Sequence, residues 1–521
     1  LGAELNQKLF SAADNLRSKM DASEYKNYLL GLIFYKYLSD RLLEQVVLLA
    51  DESLEEYDTV SKQTMLYREL LSDEESKEDL IATIVDILGY AIAPEYLFNV
   101  LADQAKQATF QLNDLNKAFV QLASTYNQFN GLFDDVDLQS KKLGTDEQQR
   151  NVTITEVIKK LNDVEVLGHD GDVIGDAYEF LISQFASEAG KKAGEFYTPR
   201  AVTDFMAKMI NPQIGEHVAD FACGTGGFLT SWLKELSKKV VTTEDQEAYD
   251  NSIYGIEKKQ FPCMLCITNM LLHGIDVPRI YHDNSLLKDV LDYTVDDQFD
   301  VILMNPPYGG NEKTEVKNHF PADLASSETA DLFMSVIMYR LKKNGRVAVI
   351  LPDGFLFGTD NDKVAIKKKL LSEFNLHTVI RMPHSVFAPY TSITTNILFF
   401  DHTKPTEETW FYRLDMPEGY KNFSKTKPME LKHFEPAIEW WNNREEINVD
   451  GFDKAKKYTA EEIVARNYNI DLCGYPHEEE EILPPKELIQ QYQEKRASLN
   501  ADIDRILAQI TEILGIDLEE E

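Results

Sequence analysis

The run Asn305-Pro306-Pro307-Tyr308 follows the apolar stretch Phe299-Asp300-Val301-Ile302-Leu303-Met304 as a loop follows a buried strand. These residue types suit chemistry at an amino group. An exocyclic amine conjugated to a ring or a carbonyl is a poor nucleophile because its lone pair is delocalised, and acceptors placed on its two hydrogens localise it. The Asn305 side-chain oxygen and the Pro306 carbonyl can be those acceptors, since a residue lacking N–H leaves a rigid turn that presents mainly acceptors. Tyr308 offers a flat face on which a planar target can stack. Asn305, Pro306, Pro307 and Tyr308 are therefore the candidate catalytic set, although the tetrapeptide alone also reads as a Pro-Pro turn with a buried tyrosine.

A second cluster lies upstream. Val218-Ala219-Asp220-Phe221-Ala222 reads as a strand running into Cys223-Gly224-Thr225-Gly226-Gly227, and a helical pattern starts at Phe228. Without side chains at Gly224, Gly226 and Gly227, the backbone can approach a ligand closely at a helix N-terminus. A dinucleotide fold would want Gly-x-Gly-x-x-Gly, but position 229 is Leu, which weakens a nicotinamide reading. Ser252-Ile253-Tyr254-Gly255-Ile256-Glu257 is a short strand ending in a carboxylate suited to both hydroxyls of a ribose. The distance from glycines to acid exceeds the usual spacing of about 20 residues, and the excess is attributed to the polar insertion Ser237 to Asn251. Arg279-Ile280-Tyr281-His282 is a third strand, ending at Asp283-Asn284, where a carboxylate could bind an adenine amino group. A glycine turn alone says little; turn, Glu257, Asp283 and proline loop in that order say much more.

With Gly194-Glu195-Phe196-Tyr197-Thr198-Pro199-Arg200 ahead of them, these motifs resemble those of S-adenosylmethionine-dependent N6-adenine DNA methyltransferases. Phe34-Tyr35-Lys36-Tyr37-Leu38-Ser39-Asp40 and Arg466-Asn467-Tyr468-Asn469-Ile470-Asp471 extend the resemblance over nearly the whole chain, toward the modification subunit of type I restriction-modification systems. The resemblance implies that Glu195, Phe196, Tyr197, Thr198, Pro199 and Arg200 close over the cofactor. It further implies that Asp220, Cys223, Gly224, Thr225, Gly226 and Gly227 belong to the cofactor turn, that Glu257 and Asp283 hold its nucleoside, and that Asn305 to Tyr308 hold the target adenine. Cys223 stands where a small apolar residue is more frequent, and Glu195 where Gln is frequent; both departures are mild.

Composition fits a cytoplasmic enzyme with a large core. A chain of 521 residues implies two to four domains. The four cysteines, Cys223, Cys263, Cys266 and Cys473, are too few and too unevenly spaced for a disulfide framework. Cys263-x-x-Cys266 lacks the ligands of a structural zinc site and reads as core packing. No apolar run approaches the roughly 20 residues of a membrane span, and no signal sequence opens the chain. The net charge of −35 makes the chain a poor general DNA binder, because duplex binding rests on cations that displace counterions. Little over a hundred residues follow Phe400, with no helix-turn-helix, zinc-finger or basic-stripe signal. DNA recognition is accordingly expected from a separate specificity subunit.

The expected architecture is α/β, a Rossmann-like methyltransferase sheet with helical flanks. Residues 1–165 read as a helical domain, with a capping-box pattern at Asp21-Ala22-Ser23-Glu24 and apolar positions Leu29, Leu32, Ile33, Phe34, Tyr37 and Leu38. Residues 166–480 alternate strand-like and helical runs, including Arg346 to Pro352 and a late strand from Thr395 to Phe400, and form the catalytic domain with its extension. The family architecture makes the last strand pair antiparallel. Between Gly309 and Thr329 lies a polar loop, read as a solvated connection or as a mobile flap over a flipped base. Residues 481–521 carry Ile489, Tyr492, Leu499, Ile503, Ile506, Ile510 and Ile513 at alternating steps of three and four, with Arg496 interrupting; this seam suits a partner helix.

The predicted activity is methyl transfer from S-adenosyl-L-methionine to adenine N6 in DNA, without a metal or covalent intermediate, catalysed mainly by positioning. The resemblance implies DNA as a partner through the complex, a specificity subunit serving two copies of this chain, and a restriction subunit. Two alternatives stay open at this point: a protein-glutamine methyltransferase using the same proline loop on an amide, and a non-catalytic scaffold.

Overall fold

The computed structural model describes residues 8–514 apart from 10, 13, 74, 126–128, 130, 165–174, 176, 177, 184–196, 389, 390, 392, 425 and 476–484. Apolar runs rich in Val, Ile, Leu and Phe become strands, since such side chains pack well on a pleated surface buried on both faces. They are β1 (Val218–Asp220), β2 (Ile253–Glu257), β3 (Ile280–His282), β4 (Phe299–Met304), β5 (Leu341–Pro352), β6 (Asn375–Arg381) and β7 (Thr395–Asp401), followed by β8 (Glu408–Arg413), β9 (Ile447–Val449) and β10 (Phe452–Thr459). Among the described residues they form a ten-stranded sheet in the order β3-β2-β1-β4-β5-β7-β6-β8-β10-β9. β1 pairs in parallel with both β2 and β4, which makes it the point where strand order reverses and a crevice opens at the carboxyl ends. β7 inserts antiparallel between β5 and β6, as expected of the late strand. The sheet also extends past β6 through β8, β10 and β9, where no strand was predicted. In β10, Lys454, Lys456 and Lys457 interrupt any apolar alternation, and the strand is only partly buried.

Helices cover the sheet. Interleaved with the strands are α7 (Arg200–Ile210), α8 (Gly227–Ser237), α9 (Thr243–Asp250), α10 (Gln260–Leu272), α11 (Thr329–Arg340) and α12 (Asn361–Glu373), while α1 (Ala22–Leu49), α2 (Val60–Leu70), α3 (Lys77–Leu88), α4 (Phe98–Lys106), α5 (Leu112–Thr125) and α6 (Glu147–Asn162) precede them. The polar insertion after α8 folds as α9, whose capping box joins Thr242 and Asp245. At the start of α1 the expected capping box is not made: Asp21 is the N-cap in extended backbone, but its side chain makes no capping bond. The predicted apolar positions of α1 are all buried. Their core is aromatic, with Phe34 stacked on Phe133 at 5.8 Å and Phe119 on Phe133 at 4.2 Å. α1 docks on the catalytic core through the Tyr37 hydroxyl, which donates to the Leu271 carbonyl at 2.8 Å, and through an Arg41–Asp276 ion pair at 2.9 Å.

Residues 1–474 form one compact unit and 475–521 a second. The second contains α13 (Pro485–Leu514), a continuous helix on which Ile489, Tyr492, Leu499, Ile503 and Ile506 are exposed. The seam positions Ile510 and Ile513 have side chains outside the described set, as does the acidic run 478–481. All four cysteines are buried free thiols.

Candidate active site

Three adjacent strand ends deliver the key side chains: β1 ends at Asp220, β2 at Glu257, and β4 runs into Asn305. Parallel strands bring their carboxyl ends to one edge, so residues far apart in sequence share a crevice. A cavity of about 380 Å³ lies there, lined by Asp220, Gly224, Glu257, Asp283, Asn305 and Tyr308.

The glycine turn is held by the acid of the next strand. One Glu257 carboxylate oxygen accepts from the Gly224 N–H at 2.9 Å and the other from the Lys259 N–H at 2.7 Å. A carboxylate offers about four acceptor sites and so is suited to the donors of paired hydroxyls. Gly224 has φ +54° and nothing within 4 Å of where a Cβ would stand, so its bare backbone faces open space. Gly226 lies at the N-cap of α8 with φ +85°, and a Cβ there would meet Cys266 Sγ at 2.9 Å and Met270 Cε at 3.0 Å, which are core atoms of α10. Backbone conformation and helix packing both require a glycine there. Thr225 and Gly227 line the cavity, as does Cys223, whose thiol is pushed well up by its bond to Cys266 and by burial.

Burial raises the Asp220 carboxyl well above the usual carboxylate range, the Ala222 N–H bond at 3.1 Å opposes this, and the Glu257 charge adds to it. Asp283 sits exposed at the rim, its side chain accepting from the Asn284 N–H at 2.7 Å.

Of the segment before α7, Glu195 and Phe196 lie outside the described residues. Tyr197 and Thr198 line the cavity. Pro199 and Arg200 do not: Pro199 is the N-cap of α7, and Arg200 braces the glycine turn from behind, donating to the Gly227 carbonyl at 2.5 Å and to the Thr230 hydroxyl and pairing with Glu179. From these positions they support the turn.

In the proline loop, Asn305 Nδ2 donates to Thr198 Oγ1 at 2.9 Å, and the Tyr308 hydroxyl donates to Asn305 Oδ1. Tyr308 is half-buried, and desolvation raises its hydroxyl above the ordinary phenol range. Its hydroxyl is thus engaged by its own loop while the residue lines the cavity. Pro306 is buried and Pro307 exposed. The polar stretch after Gly309 is not merely solvated: Val316, Phe320 and Leu324 are buried beneath it. Its ends are pinned by the Thr329 hydroxyl on the Gly310 carbonyl at 3.0 Å and by the Ser326 hydroxyl on Asp331 at 2.7 Å.

Several lining residues escaped the sequence reading. Lys26 and Leu30 reach the cavity from α1, and Phe333 from α11. Asn269 donates to the Thr225 carbonyl at 3.0 Å. The signal for Asn269 was available, since it is an amide within the apolar run Phe261 to Leu272 of α10.

The sheet order, with antiparallel β7 between β5 and β6, and the glycine turn, acid and Asn-Pro-Pro-Tyr loop at neighbouring strand ends define an α/β methyltransferase acting on an amino group. The chain belongs to the N-6 DNA Methylase family, whose profile matches residues 169–482, and residues 5–161 match the HsdM N-terminal domain. It is similar to the type I restriction enzyme EcoEI methylase subunit of Escherichia coli, with 46% identity over 376 residues, covering 70% of this chain and 74% of that one. It is also similar to the solved type I restriction-modification methyltransferase subunit of Streptococcus thermophilus, with a TM-score of 0.77 and 33% identity, covering 91% of this chain and 98% of that one. A chain solved in work on assembly and conformational transition of the type I system gives a TM-score of 0.67 at 28% identity, with 99% of both chains covered. The protein is a modification subunit of this type, an adenine-specific DNA methyltransferase that methylates the N6 amino group. The protein-glutamine and scaffold alternatives give way to these matches.

Proposed function

We propose that S-adenosylmethionine binds in the cavity at the ends of β1 and β2 and that the target adenine enters beside Asn305. The observation that carries this reading is that Glu257 and Asn305 line one cavity from the two strands flanking β1. The residues fit such a ligand. Gly224 presents bare backbone to open space, and Glu257 and Asp283 offer carboxylates for ribose hydroxyls and an adenine amino group. The buried Asp220 would ionise more readily beside a cationic ligand. Cys223, Thr225 and Gly227 would bound the methionine portion, covered by Tyr197 and Thr198 and by Glu195 and Phe196 of the same segment.

When bound, the cofactor supplies a methyl group on a sulfonium, a leaving group good enough to need no further activation. Asn305 Oδ1 and the Pro306 carbonyl accept the two amine hydrogens and localise its lone pair. Tyr308 gives up its bond to Asn305 and stacks on the extruded base, whose flipping costs a few kcal/mol. The surplus proton leaves to solvent.

DNA reaches this site within a larger assembly. With a net charge of −35, the chain opposes phosphate contact, so a specificity subunit supplies recognition. The exposed seam of α13 would meet that subunit, two copies of this chain serving each one, with a restriction subunit completing the system. Among the described residues no helix is long and apolar enough to cross a membrane, in keeping with a cytoplasmic enzyme. Calorimetry with S-adenosylmethionine on the isolated chain, then labelled methyl transfer to DNA with and without a co-expressed specificity subunit, tests the whole reading. Binding without site-specific transfer is expected from the chain alone, and transfer only with the subunit. Site-specific methylation by the chain alone would overturn the division of labour.

A further inference from the structure

We infer that Thr198 is a positioning residue for the transfer step, because its hydroxyl fixes which end of the Asn305 amide faces the target amine. The inference rests on Asn305 being the amine acceptor. A carboxamide has nearly the same shape when turned end for end, but its two ends are chemical opposites. Only the oxygen end serves an amine that must donate its hydrogens; the nitrogen end would set donor against donor.

The local bonds select the productive end. Asn305 Nδ2 donates to Thr198 Oγ1 at 2.9 Å, while the Tyr308 hydroxyl donates to Oδ1. Hydroxyls can play either role, but a phenol oxygen shares its lone pair with the ring, making it a weaker acceptor and a better donor than an aliphatic hydroxyl. The phenol therefore belongs at the amide oxygen and the threonine at the amide nitrogen. When the target amine takes the oxygen, Tyr308 is displaced, and the Thr198 bond is the one of the two that persists.

The backbone around Thr198 is held for this purpose. Pro199 restricts the residue before it to extended conformations. Arg200, two residues on, is bonded to the Gly227 carbonyl and paired with Glu179. Thr198 also lines the cavity. One short segment thus ties the glycine turn to the orientation of an amide 107 residues away.

The test uses the assembled complex with its specificity subunit and a DNA site carrying 2-aminopurine at the target for base extrusion, alongside unmodified DNA for transfer. Thr198→Val should slow single-turnover methyl transfer at saturating S-adenosylmethionine by about tenfold, the worth of one hydrogen bond, while the 2-aminopurine signal stays as in the wild type. Thr198→Ser, which keeps the hydroxyl, should restore the rate. Should the valine variant melt early, Thr198→Ala is read in the same way. A raised KM with an unchanged transfer rate would make Thr198 a cofactor contact only, and failure of serine to restore the rate would make its role one of packing; either result overturns the inference. Asn305→Ala is run in parallel. If that variant turns over normally, the underlying assignment of Asn305 fails; if it is inactive while Thr198→Val is normal, only the positioning role fails.

Discussion

The Glu257 carboxylate accepts the Gly224 N–H at 2.9 Å, so the acid that ends β2 also braces the turn that ends β1. Removing it should harm cofactor binding twice, by loosening the turn and by leaving ribose hydroxyls unpaired. Glu257→Ala is expected to weaken S-adenosylmethionine binding by about 1–3 kcal/mol. Glu257→Gln, which keeps one acceptor oxygen, should fall between. Titration calorimetry on the isolated chain reads both, and wild-type affinity in the alanine variant would remove Glu257 from the site.

The two turn glycines should fail differently. Gly224→Ala places its methyl in open space beside the cavity, so cofactor affinity should drop with a modest loss of stability from its positive φ. Gly226→Ala drives a methyl into Cys266 and Met270, so overpacking should cost about 1–3 kcal/mol of stability and lower the melting temperature. Thermal melts set beside calorimetry separate the two; equal stability loss would contradict the geometry.

Asn305→Ala should abolish methylation while cofactor affinity stays near wild type, because the amide bonds Thr198 and Tyr308 at the target side. Tyr308→Ala should weaken engagement of the extruded base by about 1–3 kcal/mol of lost stacking. Tyr308→Phe keeps the ring and merely frees the Asn305 oxygen, so it should be the milder change. Methyl-transfer kinetics decide the matter, and equal damage from Phe and Ala would point to the hydroxyl instead of the ring.

His377 packs against Trp441, with ring centroids 5.9 Å apart, and burial, reinforced by the Arg444 charge and opposed by Asp401, lowers its pKa to about 4. The unfolded chain, with an ordinary value of about 6.5, takes up a proton that the folded chain refuses. This contribution to stability is complete above the unfolded value and is lost as pH falls toward the folded one. Urea midpoints between about pH 7 and pH 5 should report a loss of about 2 kcal/mol, and His377→Phe should flatten that part of the curve. An unchanged slope would show that His377 titrates normally.

Ending the chain at Gly474 removes the second unit, including α13, and spares every described residue that lines the cavity. Cofactor affinity should therefore survive, whereas assembly with the specificity subunit and DNA methylation should fail. Co-purification and labelled methyl transfer read the two halves of this expectation; normal assembly of the shortened chain would take the docking role away from α13.

By itself the sequence determined the parts of this protein whose chemistry is local. A glycine turn between strand and helix, an acid ending the next strand and an Asn-Pro-Pro-Tyr loop ending another are each written in consecutive residues, as is the apolar pattern of β4 or α1. What tertiary structure alone decided was direction and distance. Gly226 and Arg200 sit in these motifs, but only the fold shows that Gly226 packs beside Cys266 and Met270 of α10 and that Arg200 bonds the Gly227 carbonyl at the start of α8. Lys26 and Leu30 enter the cavity because α1 docks across α10, and no periodicity in α1 distinguishes a residue facing a cavity from one facing core. Strands β8 to β10 were illegible because β8 is a short run bounded by Glu408 and Arg413, β9 is three residues long and β10 is interrupted by Lys454, Lys456 and Lys457; pairing fixes them, β8 on β6, β10 on β8 and β9 on β10. The Thr198–Asn305 bond crosses 107 residues; such a contact is made by the parallel sheet that gathers strand ends at one edge, and short-range sequence pattern carries no record of it.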